Sequence, residues 1–161
     1  MQEDINILKQ AIINEIQSFE FYRMAGVSSK SEETKKAFEQ LSNDEFIHVE
    51  WLQKLLNLLL KNSEEAFNVA FADNPPSPGI FPREQLQQNS SLTLAVFEIA
   101  IQMEKASIEF YQDALAKTQI PSAKQLYTLL TAWEDNHLKQ FEAHYDSLKE
   151  DWWNEQNFQP Y

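Results

Sequence analysis

Six residues of this 161-residue chain, Glu15, Glu45, His48, Glu104, Glu134 and His137, have side chains and spacing that suit a pair of metal ions. Glu15 is followed by Glu45 and, three positions on, by His48. Glu104, Glu134 and His137 repeat the same intervals, so each half reads E-x29-E-x2-H. Residues three apart on a helix are separated by about 60° around its axis, which lets each Glu/His pair aim from one face at one point. Four carboxylates and two imidazoles suit two hard-to-borderline divalent ions such as Fe(II) or Mn(II). Bridging carboxylates offset the charge, and each imidazole fills one position per metal. Six protein donors around two metals also leave positions for water, dioxygen or peroxide.

The six belong to an internal repeat. AIINEIQSFEFY at 11–22 aligns with AIQMEKASIEFY at 100–111 with seven of twelve residues identical, and the same offset of 89 carries Glu45 onto Glu134 and His48 onto His137. One E-x2-H in an acidic helical chain is weak evidence, but a glutamate on an apolar face is costly to bury without a partner. Glu15 lies among Ile12, Ile16 and Phe19, and Glu104 among Ile101 and Ile108. Tyr22 and Tyr111 follow their glutamates by seven residues and so return to nearly the same face. They are expected in the core near the metals, either hydrogen-bonded to a carboxylate or taking part in redox chemistry. Glu20 and Glu109, five residues on and roughly 140° around, are expected at the surface. His144 lies a heptad beyond His137, about 10 Å along the helix, too far to share the metals, and is expected to be structural.

Elements that could position these residues are legible from turn signals. MAGVSSKS at 24–31 and TQIPSAK at 118–124 fall midway between the ligands of each half, so two helical hairpins bring the motifs to one height. Helices are predicted at 3–26, 31–61, 91–117 and 122–149, in hairpins 3–61 and 91–149 of a single domain, 1–161. Residues 62–90, with DNPPSPGIFP, cannot stay helical and form the crossover. A connection of this length can span a 30-residue helix of about 45 Å. The aromatic tail 150–161, DWWNEQNFQPY from Asp151, is expected to pack on the bundle or against a second copy of the chain, as in a homodimer.

Composition agrees with an all-α fold: two glycines, and long stretches of Leu, Ala, Glu, Gln and Lys. A net charge of -12 disfavours nucleic acid as a partner. The absence of cysteine excludes disulfides, thiolate metal sites and thiol catalysis, so any metal must sit on oxygen and nitrogen. No apolar stretch reaches the length of a membrane span, MQEDINIL carries no basic leader, and a cytoplasmic location is expected.

Through AIxxE15xxxxEFY22, E45FIH48, AIxxE104xxxxEFY111 and E134DNH137, over about residues 3–149, the chain resembles the ferritin-like superfamily and most closely its rubrerythrin-type branch. The resemblance implies a ferritin-like four-helix bundle, two hairpins joined by a long crossover. It also implies two Fe ions on the six residues, with Mn or a mixed Fe/Mn pair as alternatives, and reaction with peroxide, dioxygen or Fe(II) as peroxidase, ferroxidase or oxygenase. A separate electron-donor protein is implied too, since a cysteine-ligated rubredoxin unit has no counterpart here. Rubrerythrins typically carry another ligand glutamate three residues after the third-helix glutamate, where this chain has Ser107. The ligand set is in that respect similar to the symmetric one of bacterioferritin, in which an aspartate before each E-x2-H supports a histidine across the site. Asp44 stands at the first such position and Trp133 at the second, so this support is expected to be asymmetric.

Overall fold

The structure, a computed structural model, describes residues 2–30, 32–61 and 90–156. Within them lie four helices and no strand: α1 (Gln2–Ser28), α2 (Glu32–Leu60), α3 (Ser90–Lys117) and α4 (Pro121–Glu155). α1 packs along α2 and α3 along α4, and contacts of α1 with α3 and α2 with α4 close an all-α four-helix bundle. The predicted helix ends agree within two residues except at the last, where α4 runs six residues further. Nothing in DSLKEDWWNE breaks a helix, because it contains neither glycine nor proline. The expected tail therefore begins as helix, and Trp153 stays 53% exposed, its ring stacked edge-on to Trp152 at 4.9 Å. Of the expected crossover, 62–90, residues 62–89 lie outside the described residues, as do the last residues of the tail, 157–161, while Ser90 already opens α3.

Each hairpin is set by local chemistry at its turn. At the end of α1, Gly26 is buried where α2 crosses close by. A Cβ there would stand 3.3 Å from Phe38 Cβ and 3.4 Å from the Lys35 carbonyl, so a side chain would push the helices apart. Between α3 and α4, Thr118 accepts from the Ile120 N–H at 3.2 Å and donates to Asp4 Oδ1 of α1 at 2.6 Å. Pro121 then opens α4 at a position where a backbone N–H has no helical partner.

Two apolar clusters fill the bundle. One joins Leu8, Leu52, Tyr111, Leu126 and Leu130; the other joins Tyr22, Leu41, Phe97, Ile101 and Phe141. Along every helix the candidate ligands fall between a member of one cluster and a member of the other: Glu15 between Leu8 and Tyr22, Glu45 and His48 between Leu41 and Leu52, Glu104 between Ile101 and Tyr111, Glu134 and His137 between Leu130 and Phe141. The acidic layer is thus held between two apolar plugs. Burying each large side chain contributes about 1.5–3 kcal/mol, which is what offsets dehydration of the carboxylates. None of the described helices is long and apolar enough to cross a membrane.

Candidate metal centre

All six predicted ligands meet in this layer, each at most 2% exposed. Their donor atoms form two overlapping groups: Glu15, Glu45, His48 and Glu134, and Glu45, Glu104, Glu134 and His137, with the atoms of each group within 4.8 Å of one another. Glu45 and Glu134 belong to both. Glu45 turns Oε2 to His48 Nδ1 at 3.1 Å and Oε1 to His137 Nδ1 at 3.3 Å. Glu134 does the converse, with Oε1 3.1 Å from His48 Nδ1 and Oε2 3.3 Å from His137 Nδ1. Glu15 faces only His48, at 3.3 Å, and Glu104 only His137, at 3.8 Å. Two central carboxylates between two histidines, with one further carboxylate beyond each, is an arrangement suited to two bridged cations.

Tyr22 and Tyr111 lie in the bundle interior as their spacing predicts, and their partners are exchanged between the halves. The Tyr22 hydroxyl on α1 donates to Glu104 Oε1 on α3, and the Tyr111 hydroxyl on α3 donates to Glu15 Oε1 on α1. Each tyrosine occupies one oxygen of an outer glutamate and leaves the other toward the histidines. Burial, followed by the adjacent glutamate charge, pushes both phenols well above their usual range, so they remain protonated donors.

The remaining predicted positions separate cleanly. Glu20 pairs with Arg23 at 2.7 Å on the surface, Glu109 is exposed, and His144 is half-buried with its ring 6.5 Å from Phe97, outside both groups. Ser107 is half-buried and adds no carboxylate. Asp44 sets Oδ2 3.5 Å from His137 Nε2, while Trp133 lies edge-on to His48 at 5.3 Å, so the support is asymmetric as expected. One wall residue escaped the sequence reading: Trp51, whose ring is 5.8 Å from His48 and 5.9 Å from Trp133. Its signal was present, since it stands three residues after His48 on the same face.

The electrostatics favour cations. Burial first, and then the Glu134 and Glu45 charges, raise Glu15 and Glu104 well above the ordinary carboxyl value. Burial alone would lower His48 and His137, but the surrounding carboxylates outweigh it and raise both well above the ordinary imidazole value. For Glu134 and Glu45 burial acts upward, and the two histidines overcome it and hold both below the usual range. Protons do not satisfy the layer completely. Glu45 Oε1, Glu134 Oε1 and His137 Nδ1 are buried without an aligned hydrogen bond although they crowd within 3.1–3.8 Å of opposite partners. A single N–H cannot serve three oxygens, whereas a cation can be shared by all of them. The donor set and these orphaned atoms fit a metal site.

No curated protein and no solved structure matches the chain. The rubrerythrin family model matches residues 6–145, a span that contains all four helix cores, both E-x2-H motifs and both outer glutamates. On that match, which covers most of its length, the chain belongs to the rubrerythrin family.

Proposed function

We propose that the protein is a non-haem di-iron oxidoreductase that reduces peroxide or dioxygen in the cytoplasm, as part of oxidative-stress defence or iron redox handling. The observation that carries this reading is the pair of overlapping buried groups with Glu45 and Glu134 common to both. In it, Glu15, Glu45, His48 and Glu134 hold one ion, and Glu45, Glu104, Glu134 and His137 hold the other. When bound, a ferrous pair would supply two electrons, one from each iron, which with two protons convert one hydrogen peroxide to two waters, and a separate electron-donor protein would restore them. Iron is preferred to manganese for this redox work, although the oxygen and nitrogen donors suit both. The chain's own contribution is to exclude water with the two apolar plugs and to fix the outer carboxylates. Tyr22 and Tyr111 do the latter by keeping their protons on the hydroxyls that hold Glu104 and Glu15.

A second reading, a ferroxidase or iron-holding protein in which Fe(II) is the substrate, is favoured by one specific residue. Ser107 leaves the third helix without the extra carboxylate that its position would carry in the peroxidase pattern. Both readings are tested by loading metal-free protein anaerobically with Fe(II) and mixing it rapidly with peroxide and with dioxygen. Two irons per chain, fast oxidation by peroxide and repeated turnover with an electron donor are expected. Retention of many irons per chain without turnover would favour the second reading, and failure to bind two irons would end both.

A further inference from the structure

The acidic layer has near-twofold symmetry, but the atoms behind its two histidines differ. Nε2 of His137 faces Asp44 Oδ2 at 3.5 Å across the bundle, and both atoms are buried with no hydrogen-bond partner among the described residues. The position equivalent to Asp44 in the second half is Trp133, 89 residues on, and its ring stands against His48. His48 Nε2 is buried and has no partner among the described residues. An indole carries one N–H donor and no acceptor, so Trp133 cannot receive a proton from it, and the nearby Trp51 indole has the same limitation.

Both histidines turn Nδ1 toward the carboxylates. An imidazole that gives Nδ1 to a cation keeps its proton on Nε2, and what accepts that proton sets the orientation and basicity of the ring. At His137 a carboxylate stands ready. At His48 the same atom has no acceptor among the described residues, and the Trp51 and Trp133 rings pack beside the imidazole. Loss of such a remote acceptor typically weakens a metal site ten- to a hundredfold.

We infer that the two metal positions are unequal: the group formed by Glu45, Glu104, Glu134 and His137 takes its divalent cation first, and Asp44 is the positioning residue that sets the order, since Trp133 at the equivalent place offers His48 no acceptor. This rests on the reading of the six residues as ligands under the proposed function. Unequal positions also make a mixed metal pair obtainable by order of addition.

Titration of the metal-free protein with Co(II), followed by calorimetry and by proton resonance of the imidazole N–H groups, tests the order. Two steps are expected, with dissociation constants about 10–100-fold apart. At one equivalent the paramagnetically shifted N–H should be that of His137, identified by its absence in His137→Gln. Asp44→Ala should weaken the tighter step by about 10–100-fold and leave the weaker step and the two-ion capacity in place. Asp44→Asn, which keeps an uncharged acceptor, should fall between. Trp133→Phe, which likewise offers no acceptor, should leave both steps unchanged. Two equal steps in the unmodified protein, a first ion on His48, or an equal weakening of both steps by Asp44→Ala would overturn the inference. Failure of the unmodified protein to bind two Co(II) ions would instead overturn the ligand assignment beneath it.

Discussion

Loading the metal-free protein with two divalent cations should expel about four protons, a number that follows from charge balance in a buried layer. Four carboxylates within a few ångströms of one another cannot all stay ionised with only two imidazolium groups beside them. The raised affinity of Glu15 and Glu104 for protons supplies the missing neutralisation. The directions of these shifts favour a neutral metal-free layer, with protons on Glu15, Glu104, His48 and His137 and with Glu45 and Glu134 ionised. With two cations bound, neutrality requires four ionised carboxylates and two neutral imidazoles, so two protons leave the outer glutamates and two leave the histidines. Calorimetric titration near neutral pH in buffers of different ionisation enthalpy counts them directly.

The same balance fixes the sign of the pH dependence. In metal-free protein, Glu15 and Glu104 bind protons more tightly than in the unfolded chain, so their stabilisation is lost as pH rises from the ordinary value of 4.5 toward their raised values. His48 and His137 act in the same direction, contributing fully below the ordinary 6.5 and losing that contribution as pH rises through their raised values. Glu45 and Glu134, held low, lose their contribution only as pH falls below 4.5 and through their depressed values. Metal-free protein should therefore weaken as pH climbs past neutrality. Metal binding should strengthen over that interval, by about 1.4 kcal/mol per pH unit for each proton released. Binding of two ions with release of one proton or fewer would refute the charge-balance argument.

Tyr111→Phe keeps the ring stacked on Tyr127 at 5.9 Å but removes the donor to Glu15. Metal-free protein should lose about 1–3 kcal/mol and melt lower by about 2–4 °C per kcal/mol, so an unchanged melting temperature would count against the role given to this hydrogen bond. Glu104→Ala should load one equivalent of Fe(II) anaerobically instead of two, whereas Glu109→Ala, on an exposed position, should load and react as the unmodified protein does. If Glu104→Ala still took two irons and reacted at the original rate in stopped-flow absorbance, the third-helix ligand would be misassigned. Gly26→Val places a branched side chain where Phe38 Cβ leaves 3.3 Å for a first carbon. Chemical denaturation should show a loss of about 1–3 kcal/mol, and no loss would mean that the two helices can separate at little cost.

Most of the site was legible in the sequence because its ligands obey two periodicities together, the helical one within each half and the offset of 89 between halves. The fold followed from the same spacing, since the turn segments 24–31 and 118–124 fall midway between the ligands of each half. What could not be read depends on the relative rotation of the helices about their axes. The spacing places Tyr22 and Tyr111 in the interior, but their exchange of partners between α1 and α3 is set by how the two hairpins meet. Trp51 shares a face of α2 with His48, and it is a wall of the site because its ring also meets Trp133 across the α2–α4 contact, which the sequence does not fix. The aromatic and acidic composition at 150–155 reads as a tail, but the segment contains no glycine or proline and continues α4 to Glu155.

The exchanged tyrosines also bear on the order in which the chain folds. Tyr22 and Glu104 are 82 residues apart in sequence, and Tyr111 and Glu15 are 96 apart, whereas Ser42 meets the Phe19 carbonyl within the first hairpin across only 23. Contacts of short separation close with a smaller entropic cost, so each hairpin can form while its glutamates and histidine still face water. The acidic layer loses that water only when the two hairpins dock. A dock shifted by one helical turn would separate each tyrosine from its carboxylate and bury unpartnered charge between two apolar plugs. The residues suited to cations therefore also discriminate between alternative dockings, so a layer that is costly to dehydrate selects the one register in which it becomes a site.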